Sequence, residues 1–150
     1  LFVKWLPIYT MSVEDFRNFY RTLSSVFPNV VAFANIKQDE NLPVSFGTSE
    51  IIFIGSKNKI EINNGKLNAN YNSLSLQSKQ YLDAIRLSSG DEISHLFLFS
   101  NEGMEGYAED ASLITDDKPI LEFSTAKKVL NQNPSSVIED IEVFLSKSGK

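Results

Sequence analysis

Asp116 and Asp117 are the only adjacent pair of aspartates in the chain, and Glu122 follows five residues after the second. Carboxylates this close could ligate a hard cation or hold an amine, since both tasks need anionic oxygen at short range. Neighbouring side chains of an extended segment point in opposite directions, so the pair converges only in a turn. The local series Asp116-Asp117-Lys118-Pro119 predicts that turn, with Asp116 bonding to its own backbone and proline bracing the exit. Trp5, Tyr9, Phe16, Phe19 and Tyr20 could wall a ligand pocket, although their spacing also suits a core. His95 lies one helical turn from Asp91 and Glu92, which suits a proton relay, but no nucleophile or second histidine stands near it.

What the chain lacks also bounds its chemistry. It has no cysteine and one histidine, which excludes disulfides, thiolate zinc sites and paired-imidazole metal sites. Gly103 and Gly106 do not make a phosphate-binding loop, and Gly47 and Gly55 stand alone. The acidic pair leaves open a weaker alternative, an acidic metal-binding domain.

Positioning these residues requires a set of elements that the spacing predicts. Leu1 to Tyr9 reads as a buried strand whose ladder Pro7 ends. Ser12 is a helix N-cap with Glu14 and Asp15 in the first turn, and Val13, Phe16, Phe19, Tyr20, Leu23 and Phe27 form the apolar stripe. Pro28 ends that helix. Asn29 to Ile36 and Glu50 to Ser56 are two strands of a wide hairpin, the second of them central or covered on both faces. Asn58 to Asn72 holds six asparagines and reads as a loop. A helix is expected from Ser75 to Leu87, closed by Ser88-Ser89-Gly90. Ile93 to Ala108 continues at helical spacing, broken by glycine into two short helices. Ile120 to Phe123 is a short apolar run, and Val137 to Leu145 a last helix.

The chain has 150 residues, 42% hydrophobic and 22% charged, the balance of one globular domain. Its net charge of −5 gives no support to nucleic acid or anionic lipid as a partner. No apolar run approaches the roughly 18 to 20 residues that cross a bilayer. The strand-like opening Leu1-Phe2-Val3, without an initiator methionine or leader, suggests a piece of a longer chain.

The stretch "VKWLPIYTMSVEDFRNFYRTLSSVFPNVVAF" followed by "IIFIGS" resembles the later part of the nucleotide-binding domain of spermidine synthase-like proteins, in particular the subclass often fused to membrane-spanning segments. "TDDKP" followed by "LEF" is similar to that subclass's Thr-Asp-Asp-Arg-Pro and Glu-Phe. The resemblance covers roughly residues 3–33, 51–56 and 113–123. It implies an α/β fold, the C-terminal half of a methyltransferase-like (Rossmann-type) sheet ending in strand, helix and antiparallel hairpin. That portion would span residues 1–57, with 58–150 a mostly helical extension packed on it as one compact unit.

The resemblance also implies a chemistry. The family transfers an aminopropyl group from decarboxylated S-adenosylmethionine to a diamine, and its glycine-rich turn, ribose-binding acid and catalytic aspartate lie before the matched region. The chain is then expected to be inactive alone and to bind no cofactor, forming a substrate-side wall and an assembly surface. Trp5 and Tyr9 would flank the pocket, and Asp116 and Asp117 would close it. A homo-oligomer, or a preceding domain or partner, would cover the edge of the first strand. The expected location is the cytoplasm, or the cytoplasmic face of a membrane-fused parent. The alternative is a non-catalytic oligomerisation or protein-interaction module.

Overall fold

A computed structural model describes residues 1–34, 50–117 and 135–147. The described chain is mixed α/β, with a four-stranded sheet and five helices, and clusters into two compact units. The first joins Leu1–Lys59 to the residues from Leu98 onward; the second is Ile60–Phe97. No helix among the described residues is long and apolar enough to cross a membrane.

The first unit begins with strand β1 (Phe2–Pro7), a single 3-10 turn over Ile8–Thr10, and helix α1 (Val13–Val26). Ser12 caps α1 as expected: Asp15 N–H donates to Ser12 Oγ at 3.2 Å, and the Asp15 carboxylate accepts from Ser12 Oγ–H at 2.7 Å. Asp15 is thereby buried with its charge occupied at the helix N-terminus, where the backbone dipole favours it. Phe16, Tyr20 and Leu23 are buried on one face of α1, as the three-to-four spacing predicts.

Strand β2 (Asn29–Phe33) follows Pro28, and β3 (Glu50–Ser56) pairs antiparallel with both β2 and β1. With β4 (Phe97–Ser100) the order is β1-β3-β2-β4. Because β3 is antiparallel to both neighbours, β1 and β2 run parallel, joined by α1, with β3 between them. The apolar run Ile51–Ile54 is central, as expected, yet its burial alternates: Ile51 and Phe53 are buried while Ile52 is exposed. Only one face of the sheet carries the described core.

That core is largely aromatic. Phe53 meets Phe16, Phe19 and Phe99 with ring centroids 5.2 to 6.0 Å apart, and Tyr20 packs edge-on against Phe99 at 5.7 Å. Each buried ring contributes roughly 1.5–3 kcal/mol by area alone. At the rim, Phe27 stacks on Phe2 at 5.3 Å and covers Gly55, where a Cβ would come 2.8 Å from its ring. Helix α5 (Ser135–Lys147), expected over Val137 to Leu145, buries Val137, Ile138 and Ile141.

Residues 97–108 differ from the two short helices expected. Phe97–Ser100 adds a strand beside β2, followed by a 3-10 turn at Asn101–Gly103 and further turns. Pairing with a sheet edge overrides local periodicity here, and Asn101 secures the junction by accepting from Val30 N–H at 2.6 Å and donating to the Pro28 carbonyl at 3.1 Å. The short apolar run Ile120–Phe123 lies outside the described residues, as does the polar segment 37–49.

The second unit is three short helices: α2 (Asn64–Ser73), α3 (Leu76–Ala84) and α4 (Gly90–Ser94). The asparagine-rich stretch expected as a loop is therefore mostly helix, because its asparagines act as caps and staples. Asn63 accepts from Lys66 N–H at 2.9 Å at the start of α2. Asn68 accepts from Gly90 N–H at 2.9 Å and donates to Asp91 at 3.0 Å, tying α2 to the N-terminus of α4. Gly90 starts α4 rather than closing α3. Arg86, at φ 63°, ends α3 instead, with its own N–H on the Asp83 carbonyl and the Leu87 N–H on that of Leu82.

Two outcomes follow. A Cβ at position 90 would fall 2.3 Å from the Asn68 backbone nitrogen, so Gly90→Ala should destabilise the α2–α4 pair by about 1–3 kcal/mol, read as faster amide exchange confined to Ile60–Phe97. In the first unit, burial raises the Tyr20 and Tyr107 hydroxyls far above the ordinary tyrosine value of 10.0. The unfolded chain therefore releases phenolic protons above about pH 10 while the fold retains them, so stability should be constant below that pH and fall as pH rises past it. Urea midpoints between pH 8 and 11.5 should show this, with a shallower fall in Tyr20→Phe.

Candidate functional site

The Asp116-Asp117 segment is held by polar side chains of α1. Arg17 donates from Nε and Nη2 to the Tyr107 carbonyl at 3.0 and 2.6 Å, and from Nη2 to Asp110 at 2.7 Å. Its guanidinium also lies over the Tyr107 ring, 5.4 Å from the centroid. One turn along, buried Asn18 accepts from Ser112 N–H at 2.8 Å, and Thr22 accepts from Ile114 N–H at 2.8 Å while donating to the Asn18 carbonyl at 2.9 Å. The backbone of 112–114 thus runs along α1 with the Ser112 and Ile114 amides satisfied by side chains rather than by a strand. Thr115 forms an isolated bridge, and Asp116 and Asp117 make an exposed turn.

Trp5 and Tyr9 stand elsewhere. Trp5 is in the middle of β1, and Tyr9 is in the 3-10 turn leading to Ser12 and the start of α1. Ile114 is anchored at Thr22, ten residues and about 15 Å of helix beyond Ser12. Tyr9 and the aspartate pair therefore lie toward opposite ends of α1. Lys118 and Glu122 lie outside the described residues. Among the described residues no three His, Asp or Glu side chains are placed to hold a metal ion.

His95 is exposed at the end of α4, with its N–H on the Asp91 carbonyl at 3.0 Å. The Glu92 carboxylate accepts from Ser88 Oγ–H at 2.8 Å, a local contact that fixes the entry to α4. Both residues serve the helix ends.

One apolar surface left open among the described residues belongs to the sheet. The register pairs Val3 with Ile54 and Trp5 with Ile52, and β2 sets Val31 beside Ile54. Directly opposed residues share a face, so these five occupy the side away from the Phe53 core. Val3, Trp5 and Ile52 are 59%, 50% and 45% exposed. β1 is also the outermost strand, paired only with β3 among the described elements. Phe2, on its inner face, is partly exposed as well.

No protein-family model, curated protein or solved structure matches the chain. Function is thus read from the surfaces and polar groups that the fold itself leaves open.

Arg17, Asn18, Thr22 and Asp110 escaped the reading of the sequence. Asn18 and Thr22 are spaced four apart beside an apolar stripe, a signal of a helix face with a polar partner. Their partner lies more than ninety residues away, beyond what local periodicity reports. Thr22→Val, which keeps the shape and removes the acceptor for Ile114 N–H, should cost about 1–2 kcal/mol locally and speed amide exchange at Ser112 and Ile114 roughly tenfold. The Tm of the whole unit should move little.

Proposed function

We propose that the chain is the closing, non-catalytic portion of a spermidine synthase-like protein, contributing a substrate-side wall and an assembly surface, and that a further strand of the same sheet pairs with the open edge of β1. The observation that carries this reading is the apolar character of both faces of that outermost strand. Leu1, Phe2, Val3, Trp5 and Leu6 are interrupted only by Lys4 and Pro7. Edge strands ordinarily discourage pairing with charge, proline or brevity. A strand apolar on both faces instead suits the interior of an α/β sheet covered on both sides.

The order of elements supports the same reading. β1, α1 and β2 form a parallel strand-helix-strand unit, and β2 and β3 close it as an antiparallel hairpin, which is the ending the resemblance implies. On this proposal Trp5 and Tyr9, at and beyond the C-terminal half of β1, border the cleft where open α/β sheets take ligands. Decarboxylated S-adenosylmethionine belongs to the rest of such a protein. Asp116 and Asp117 then brace the surface along α1.

A second reading is an oligomerisation module in which a copy of the same chain pairs along β1. The same exposed edge favours it, and stoichiometry separates the two. Sedimentation of the purified chain across concentration should show open-ended association through β1 and the Trp5 face, relieved by Val3→Lys with Trp5→Lys. A discrete dimer would favour the second reading. A stable monomer at every concentration would sink both. Calorimetry with methylthioadenosine should give no binding heat, and saturable binding would overturn the assignment as non-catalytic.

A further inference from the structure

On the outer side of α1 a hollow of about 470 Å³ is lined by Val13, Glu14, Arg17, Asn18, Asp110 and Ala111, with Ser112 at its margin. Its polar groups are unevenly used. Arg17 spends Nε and Nη2 on the Tyr107 carbonyl and Asp110, while Nη1 has no partner among the described residues. Asn18 is only 4% exposed, and its Oδ1 is fixed by the Ser112 amide. That bond settles which way the side-chain amide points and leaves Nδ2, with two N–H donors, unpartnered among the described residues. A buried amide donor left without an acceptor loses its hydration with nothing in return, so a ligand acceptor there is favoured. Glu14, exposed on the same wall, also has no hydrogen bond or ion pair among them.

We propose that this hollow binds a small zwitterion of the α-amino acid class, its carboxylate between Arg17 Nη1 and Asn18 Nδ2 and its ammonium at Glu14. Two unspent sets of N–H donors lining one hollow call for an acceptor with two oxygens, and a carboxylate fits a guanidinium edge. Charge then decides the class. The hollow holds one cation against two carboxylates, so a bare anion would leave the acidic side unanswered, whereas a zwitterion answers both. Val13 and Ala111 leave a small apolar wall for the side chain. The inference does not depend on the assembly proposed for β1, since it uses neither that strand nor its edge.

The test is a titration of the isotope-labelled full chain with L-alanine, L-leucine and L-glutamine, following the Asn18 side-chain amide and the Arg17 guanidinium resonances, with acetate and ethylamine as half-ligands. At least one amino acid should give saturable shifts at both groups, and each half-ligand should bind at least about tenfold more weakly. Glu14→Gln, at an exposed position, should weaken the amino acid about tenfold while lowering Tm only slightly, as loss of one first-turn carboxylate does. Asn18→Asp keeps the acceptor for Ser112 and removes the donors, so it should abolish the shifts at Arg17. The proposal fails if no amino acid shifts these resonances at 50 mM, a concentration chosen to reveal even weak millimolar binding of roughly −4 kcal/mol. It fails equally if acetate binds as tightly, or if Glu14→Gln leaves affinity unchanged.

Discussion

Tyr107 is where the first unit is tied together, because one residue there bonds to two helices that already share its core. Its ring is enclosed by Phe16, Tyr20 and Phe144, at centroid distances of 5.1 to 6.3 Å, so it belongs to α1 and α5 at once. The hydroxyl donates to Asp140 on α5 at 2.7 Å, and the backbone carbonyl accepts from Arg17 on α1. A buried phenol needs such a partner, and an aromatic body with one polar end can meet an apolar core and a helix carboxylate together. The turns around it fix where Asp110 stands, and therefore where 112–117 run. Without this ring α5 would lose its edge-on aromatic contact, and Arg17 the aromatic face beneath its guanidinium.

Legibility in the sequence followed the range of the forces involved. Ser12 and the stripe from Val13 to Phe27 were readable because capping and helical spacing are local, and β3 was readable as a central strand from four consecutive apolar residues. The exposure of Ile52 was not, since burial of a second face depends on what else packs there. β4 was mistaken for helix because Phe97, Met104 and Tyr107 have compatible spacing, while the strand exists through pairing with β2, about seventy residues earlier. The asparagines between 58 and 72 misled in another way. Their preference for turns is a statement about side chains competing for the backbone, and at Asn63 and Asn68 that same competition caps a helix and staples it.

The contrast between the two units has the same physical basis. The first encloses aromatic rings between a sheet and helices, and its interior is largely apolar, with Asp15 and Asn18 as its buried polar side chains. In the second only Gly90 is buried, and Leu76, Tyr81 and Ile85 remain exposed. Caps, a left-handed terminus at Arg86 and the Asn68 staple must therefore carry a larger share of its order. Each such bond contributes about 1 kcal/mol, against several for a buried ring, so the second unit is expected to open at lower free-energy cost than the first.

Placement of polar groups on α1 separates structural from available chemistry. Asp15, Thr22 and the Asn18 carbonyl oxygens spend their hydrogen bonds within the chain, and each is explained by a cap or a held loop. The Asn18 side-chain nitrogen and the Arg17 Nη1 are not explained that way, although the residues that carry them are fixed by other bonds. A group held rigidly by one end and unsatisfied at the other costs little further entropy to engage, which is the arrangement that favours ligand binding. The aspartates at 116 and 117 have the opposite character: both are exposed, and water already satisfies their charge. Adjacency of like charges drew attention to them, but what distinguishes a site is an incomplete set of partners in a place water reaches poorly, and on this chain that condition is met beside Asn18.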